Sequence, residues 1–146
     1  MIKTIVFAED DEDDQLHFKE VFYEIDADIQ IVFVRDGNQL LQLLKNFLPD
    51  LLFLDLEMPY KNGLECLVEL RKNIAYNNLP VVICSSTMRP ANIQTAYEMG
   101  AHLFLHKSSS YSDYSYCLKQ ILSLNWGDPE KVRATYCTDA VYHSFN

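Results

Sequence analysis

The chain has no run of basic residues and little positive charge overall. Its 146 residues hold 12 Lys and Arg against 21 Asp and Glu, which gives a formal net charge of −9. A protein of that sign repels nucleic acids and anionic membranes, so we expect neither as a direct partner. No segment approaches the roughly 20 apolar residues that span a bilayer, and the N-terminus lacks the apolar core of a signal peptide. We therefore expect a cytoplasmic protein.

Cysteine and histidine are too scattered to indicate a disulfide framework or a zinc site. None of the four histidines has metal-ligand spacing to another, and no Cys-x-x-Cys pair occurs among Cys66, Cys84, Cys117 and Cys137. We expect reduced thiols packed in the core. Internal repeats and low-complexity segments are also lacking, and the length suits one domain.

Short apolar runs alternate five times with amphipathic segments of helical length. The predicted strands are residues 2–8, 29–34, 51–55, 80–86 and 101–107. The predicted helices are 14–25, 36–47, 64–73, 89–100 and 111–124. In the first helix the residues expected to face inward are Leu16, Phe18, Val21, Phe22 and Ile25. This alternation predicts right-handed crossovers and a parallel sheet covered on both faces, which is a doubly wound α/β fold with five strands.

A short extension, residues 126–146, follows the predicted domain at 1–125. It is too short for an output domain, and Asp128-Pro129-Glu130 is typical of the start of a helix. We expect its aromatic residues to pack back on the core or to join a dimer contact, with a frayed tail as the alternative. These aromatic residues are Tyr136, Tyr142 and Phe145.

The stretch "FAEDDEDD" runs from a strand into six consecutive acidic residues. Glu12, Asp13 and Asp14 are interpreted as the solvated first turn of a helix, where acidic residues are favoured. Glu9 and Asp10 instead continue the first strand directly, and Asp55 ends the third strand. Because the carboxyl ends of parallel strands meet at one edge of a sheet, these three carboxylates should converge. Oxygen ligands of this kind predict a Mg²⁺ site.

Three further polar residues come to the same edge. Ser85 and Ser86 end the fourth strand, and Lys107 ends the fifth. A lysine beside three acids is often only a structural ion pair. However, Lys107 and Mg²⁺ on either side of Asp55 would stabilise a phosphoryl group on that carboxylate, and aspartate is a nucleophile in such covalent intermediates. Ser85 could donate a hydrogen bond to a phosphoryl oxygen.

At these residues the sequence resembles the receiver domain of two-component response regulators, over roughly residues 2–124. The resemblance rests on an ordered set of motifs: "ED" after the first strand, "DLEMPYKNG" at the third, "SS" at the fourth and Lys107 after the fifth. It implies a CheY-like, flavodoxin-like (βα)5 fold with strand order 2-1-3-4-5.

The resemblance also implies a role for each matching position. Asp55 would be the phosphoacceptor, Ser85 the switch hydroxyl and Lys107 the lysine that contacts the phosphoryl group. The Mg²⁺ ligands would come from Glu9, Asp10, Asp55 and the backbone carbonyl of Glu57. The remaining matches shape the switch and its loops, and they are Phe104, Pro59, Gly63, Ser86 and Ser108.

Three residues depart from the family pattern. Ser108 stands where the family usually has a proline in a cis peptide, and a cis bond before a non-proline residue costs about 2.5 to 4 kcal/mol. Phe104 replaces a frequent tyrosine and has no hydroxyl to offer a partner. Glu57 brings an extra carboxylate beside Asp55. The Lys107-Ser108 pair and the ending "LSLNW" are similar to stand-alone regulators that work with bacterial phytochromes.

The leading hypothesis is a single-domain response regulator that accepts a phosphoryl group on Asp55. Its donor would be a sensor histidine kinase, phytochrome-type in the narrower resemblance, or a phosphotransfer protein. The signal would be a changed surface or a homodimer through the fourth helix, fifth strand and fifth helix. We expect no enzymatic turnover beyond slow autodephosphorylation.

Three alternatives use the same residues or the same fold. The first is a receiver-like module that docks or dimerises without phosphorylation. The second is a phosphatase of the haloacid-dehalogenase type with Asp55 as nucleophile and Glu57 as the second acid. The third, a flavin-binding protein, is disfavoured because acids occupy the place of its phosphate-binding loop.

Overall fold

Five strands form one parallel sheet in the computed structural model, which describes residues 2–136. The strands are β1 (Thr4–Ala8), β2 (Gln30–Val34), β3 (Leu51–Asp55), β4 (Val81–Ser85) and β5 (Leu103–His106). Their order is β2-β1-β3-β4-β5, and each neighbouring pair is parallel. The predicted fold class and strand order are confirmed. β5 is an edge strand of this sheet.

Helices cover both faces of the sheet. They are α1 (Glu12–Ile25), α2 (Gly37–Leu44), α3 (Gly63–Lys72), α4 (Pro90–Glu98), α5 (Tyr111–Ser123) and α6 (Pro129–Tyr136), with a short 3-10 helix at Ile74–Tyr76. One hydrophobic cluster joins the sheet to α1 and α5, and a second joins it to α2, α3 and α4. None of the helices in the described part of the chain is long and apolar enough to cross a bilayer.

α1 begins at Glu12, two residues before the predicted start, because Asp11 caps it. The Asp11 carboxylate accepts hydrogen bonds from the N–H groups of Asp13 (2.8 Å) and Asp14 (3.1 Å), which satisfies two donors of the first turn. The sequence signal for this start is an aspartate at the N-cap position, three residues after the end of β1.

The predicted inward face of α1 is partly wrong. Phe18, Val21 and Phe22 are buried, but Leu16 is 56% exposed and Ile25 is 42% exposed. Leu16 lies two residues, about 200°, around the helix from Phe18 and so points away from the sheet. Ile25 is the last helical residue, where fewer neighbours cover a side chain.

α2 ends at Leu44, three residues before the predicted end. The N–H groups of Lys45 and Asn46 bond to the carbonyls of Gln42 and Leu43, so the chain tightens into turns there. β1 and β5 are also shorter than predicted, since only residues 4–8 of the first and 103–106 of the second pair with neighbouring strands.

The described part of the extension packs on the sheet. Trp126 and Val132 are buried, and the Trp126 indole donates to the carbonyl of Ile121 at 2.9 Å. Tyr136 is partly buried and contacts the clusters on both faces. The predictions for Cys137, Tyr142 and Phe145 concern residues outside the described range. The other three cysteines are buried free thiols, namely Cys66, Cys84 and Cys117.

Candidate functional site

Lys107, just beyond β5, lies at the centre of an acidic cluster at the carboxyl edge of the sheet. Its Nζ donates to Asp55 Oδ2 at 3.0 Å and to Glu9 Oε2 at 3.1 Å. A third bond reaches Asp14 Oδ2 at 3.1 Å from the first turn of α1. The sequence interpretation missed Asp14, which it assigned to a solvated helix start. Three donors of one ammonium group are thus shared among three carboxylates.

Glu9, Asp10 and Asp55 converge as predicted. One carboxylate oxygen from each lies within 4.8 Å of the others. Glu9 and Asp55 are 1% and 2% exposed, and Asp10 is the more exposed of the three. All three offer hard oxygen ligands, and the open side at Asp10 leaves room for water and phosphate oxygens, so the cluster fits Mg²⁺.

Burial and neighbouring charges shift the pKa values of the acids and the lysine in this cluster. Burial and the neighbouring Asp55 raise the pKa of Glu9 to about 9. Burial alone would also raise the pKa of Asp55, but the hydrogen bond with Glu9 and the charge of Lys107 outweigh it and lower that pKa. Burial opposes the charged form of Lys107, yet Asp55 and Glu9 raise its pKa. Lys107 alone does not balance the acids, so the site favours an added cation.

Ser85 is fully buried at the end of β4 and is already hydrogen-bonded. Its Oγ donates to Glu57 Oε1 at 2.7 Å, and it accepts from the N–H of Thr87 at 3.1 Å. The N–H of Glu57 donates to Asp55 Oδ1 at 3.1 Å, which keeps Glu57 beside that carboxylate. Burial and Asp55 raise the pKa of Glu57. The sequence interpretation placed the Glu57 carboxylate beside Asp55 but did not predict its bond to Ser85, and the metal-binding role of the Glu57 carbonyl stays a prediction.

Gly63 is required by the close approach of the loop after β3. A Cβ there would lie 2.5 Å from the Asp55 carbonyl oxygen, and its N–H donates to the Leu56 carbonyl at 3.1 Å. Pro59 is exposed in the same loop, and Tyr60 has a φ of 66°. A non-glycine residue with positive φ is uncommon and carries some strain.

Ser86 and Ser108 lie on the rim of the site, where they line a polar cleft with Asp14, His17 and Lys107. None of the peptide bonds in residues 2–136 is cis, so the Lys107-Ser108 bond is trans. Phe104 lies deeper, fully buried on β5, and its N–H donates to the Tyr97 hydroxyl of α4 at 3.2 Å. A hydrogen bond from the Phe104 backbone to the Tyr97 side chain therefore connects β5 to α4.

Residues 5–115 match the response regulator receiver domain family. The chain belongs to this family. The match covers more than half of the chain and includes the strand ends that carry Glu9, Asp10, Asp55, Ser85 and Lys107. The resemblance drawn from those residues is confirmed.

Individual relatives agree with the family assignment. Response regulator Rcp1 from Synechocystis sp. is 28% identical over 118 residues, which cover 76% of this chain and 80% of Rcp1. The solved Mn²⁺-bound form of Rcp1 has a TM-score of 0.78 at 27% identity and covers 84% of this chain and 93% of that one. The phosphorylated cyanobacterial phytochrome response regulator RcpA has a TM-score of 0.78 at 27% identity, with 83% and 91% covered.

Proposed function

We propose that this receiver domain accepts a phosphoryl group on Asp55 from a phosphohistidine in a cytoplasmic phosphorelay. The observation that carries the proposal is the buried Asp55 carboxylate, 3.0 Å from Lys107 Nζ and within 4.8 Å of the Glu9 and Asp10 oxygens. In the transfer, a carboxylate oxygen of Asp55 forms an O–P bond while the N–P bond of phosphohistidine breaks. The imidazole leaves with the bonding electron pair and takes up a proton.

Asp10 and Asp55 are the proposed carboxylate ligands of Mg²⁺, with Glu9 adjacent and the Glu57 carbonyl as a further ligand. When bound, Mg²⁺ would neutralise charge on the transferring phosphoryl oxygens. Lys107 approaches Asp55 from β5 and would shift one of its hydrogen bonds to a phosphoryl oxygen. Lys107 thus supplies a fixed positive charge that needs little reorganisation.

Ser85 and Phe104 are the proposed switch residues. A phosphoryl group on Asp55 would compete with Glu57 for the Ser85 hydroxyl, which now donates to Glu57 at 2.7 Å. Movement of Ser85 would be passed to Phe104 and, through the bond to Tyr97, to α4. The surface formed by α4, β5 and α5 is therefore the proposed face for a downstream protein or a second copy.

The proposed donor is a sensor histidine kinase or a phosphotransfer protein. The similarity to RcpA, a phytochrome response regulator, supports a phytochrome-type kinase as one candidate donor. We propose no catalytic turnover beyond slow loss of the phosphoryl group. The phosphatase and flavin alternatives have no support from the family to which the chain belongs.

The test is incubation with acetyl phosphate and Mg²⁺, followed by intact-mass measurement. We expect a gain of one phosphate that is lost in Asp55→Asn and retained in Asp13→Asn, an exposed acid of the same run. No gain in the unmodified chain, or an undiminished gain in Asp55→Asn, would show that the proposal is wrong.

A docking module that works without phosphorylation is the second candidate. It is favoured by the hydrogen bond from Ser85 to Glu57 and by the full burial of Phe104, because the protein itself holds both side chains in place. A binding partner would distinguish the two candidates. Equal affinity for the chain with and without beryllofluoride would favour the docking module over the phosphorylation-dependent regulator.

A further inference from the structure

α6 lies against the face formed by α4, β5 and α5. Val132 is 7% exposed and belongs to the cluster on the α1 and α5 side. Tyr136 packs against that cluster and also against the cluster on the α4 side. Because β5 is the edge strand between α4 and α5, and α6 contacts β5, these contacts place α6 across the β5 edge.

Arg133 fastens α6 to the C-terminal end of α4. Its Nη2 donates to the Tyr97 carbonyl at 2.6 Å, and its Nε donates to the Ala101 carbonyl at 3.2 Å. The Tyr97 carbonyl also accepts from the Gly100 N–H at 3.0 Å, so Arg133 adds a second donor to it, and a cation at the C-terminal end of a helix interacts favourably with the helix dipole. Arg133 therefore acts as a side-chain cap for α4 that comes from the extension.

Glu130 fastens α6 to the start of β5. His102 is 2% exposed, and its Nδ1 accepts from the Val81 N–H at 3.1 Å. Its Nε2 consequently carries the proton, and it lies 3.3 Å from Glu130 Oε1. The first turn of α6 is thus tied to the sheet, one turn before Arg133.

α4 is held differently at its two ends. At the C-terminal end, Arg133 binds Tyr97, and Arg71 of α3 donates to the Gly100 carbonyl at 2.9 Å. At the N-terminal end, the N-cap residue Arg89 makes no side-chain cap, and the loop from Ser85 is largely exposed. A displacement near Ser85 would therefore change the tilt of α4, and with it the direction of the Tyr97 carbonyl to which Arg133 donates.

We infer that α6 is an intramolecular cover of the α4–β5–α5 face that binds this face more tightly when Asp55 is unphosphorylated than when it is phosphorylated. This inference rests on the proposed function. Movement of α4 or Phe104 changes the positions of the Tyr97 carbonyl and the β5 edge, to which α6 is fitted. Linkage then requires the reverse effect, in which a weakened α6 contact favours the phosphorylated form. Release of α6 exposes the face to its partner.

The test is hydrogen exchange of the full chain in Mg²⁺, with and without beryllofluoride as the phosphoryl mimic. We expect the amides of residues 131–136 to exchange faster with the mimic. Arg133→Ala should raise their exchange without the mimic and should bind beryllofluoride at least about fivefold more tightly, the lower end of ordinary coupling. The control is Lys131→Ala, an exposed residue of the same helix, which should behave as the unmodified chain does.

Binding of the mimic is followed separately by fluorine NMR, so the two failures are distinguishable. If beryllofluoride does not bind, both the proposed function and this inference are wrong. If it binds but the exchange in α6 is unchanged, only this inference is wrong. This inference is also wrong if Arg133→Ala binds beryllofluoride no more tightly than Lys131→Ala does. If Arg133→Ala does not fold, the change in α6 exchange of the unmodified chain on adding beryllofluoride tests the inference.

Discussion

Among the individual side chains, Lys107 donates hydrogen bonds from one ammonium group to three acidic side chains. Its side chain is 12% exposed, and its partners Glu9 and Asp55 are nearly inaccessible. Removal of one member of a buried ion pair leaves the other charge uncompensated in a poorly solvated place. The charge of Lys107 therefore contributes to stability as well as to the proposed chemistry.

We predict that Lys107→Met lowers the free energy of unfolding by roughly 3 kcal/mol without Mg²⁺. Added Mg²⁺ should recover part of this loss, because it supplies positive charge to the same acids. Urea unfolding with and without Mg²⁺ measures both effects. Lys119→Met is the control, since the Lys119 pair with Glu24 is exposed and is worth at most about 1 kcal/mol. Equal losses in the two variants would contradict the prediction.

His102 is predicted to make stability depend on pH. Burial, together with the positive charge of Arg71, lowers its pKa to about 4, below the ordinary value of 6.5. Between those values the unfolded chain binds the proton more readily, so the free energy of unfolding falls as the pH drops from 6.5 towards 4. The loss over the whole window is roughly 3 kcal/mol.

His102→Asn provides the check, because the asparagine oxygen can still accept the Val81 N–H. The slope of unfolding free energy against pH, measured between pH 6.5 and 5, should be smaller in the variant than in the unmodified chain. Identical slopes would mean that His102 does not titrate as proposed.

Among the secondary-structure elements, the connection from β3 to α3 is the most constrained part of the site. It turns back so closely that the Gly63 N–H bonds to the Leu56 carbonyl. α3 then starts with a capping box between Asn62 and Glu65. The helix start and the position of Asp55 are thus set by the same few residues.

Gly63→Ala should destabilise the fold by about 2 kcal/mol, because its Cβ would lie 2.5 Å from the Asp55 backbone oxygen and the backbone must move. The same movement should slow phosphorylation of Asp55 by acetyl phosphate. The matched control is Gly127→Ala, whose Cβ would meet only the Asn125 side-chain oxygen at 3.1 Å. The prediction is wrong if both substitutions leave the unfolding free energy and the phosphorylation rate alike.

For the molecule as a whole, the formal charge of −9 and the three clustered carboxylates lead us to expect that a bound cation stabilises the fold. A ligand that binds only the folded chain stabilises it by mass action, by about 2.7 kcal/mol at 100 times its dissociation constant. Asp10 is the best residue for isolating this effect, since its side chain is outside the set bonded to Lys107.

We predict that Mg²⁺ raises the Tm of the unmodified chain, by about 2 to 4 °C for each kcal/mol at this size. Asp10→Asn should remove most of that rise while leaving the metal-free Tm equal or higher, because one repulsive charge is lost. Thermal unfolding with NaCl at matched ionic strength separates specific binding from screening. A rise of the same size in Asp10→Asn would exclude this site as its origin.

The sequence by itself determined the succession of strands and helices along the chain and the set of residues at the strand ends. Apolar runs and periodicity are local properties, and the carboxyl ends of parallel strands always meet at one edge. The sequence alone therefore places five polar residues together, namely Glu9, Asp10, Asp55, Ser85 and Lys107.

Only the tertiary structure decided which side chains bond across that edge and beyond it. Three such bonds join residues far apart in the sequence. Lys107 and Asp14 are 93 positions apart, Ser85 and Glu57 are 28 apart, and Arg133 and Tyr97 are 36 apart. Such contacts depend on how helices rotate and shift against the sheet, and shifts of a few ångströms make or break a hydrogen bond. The local sequence pattern does not determine how far each helix shifts or rotates.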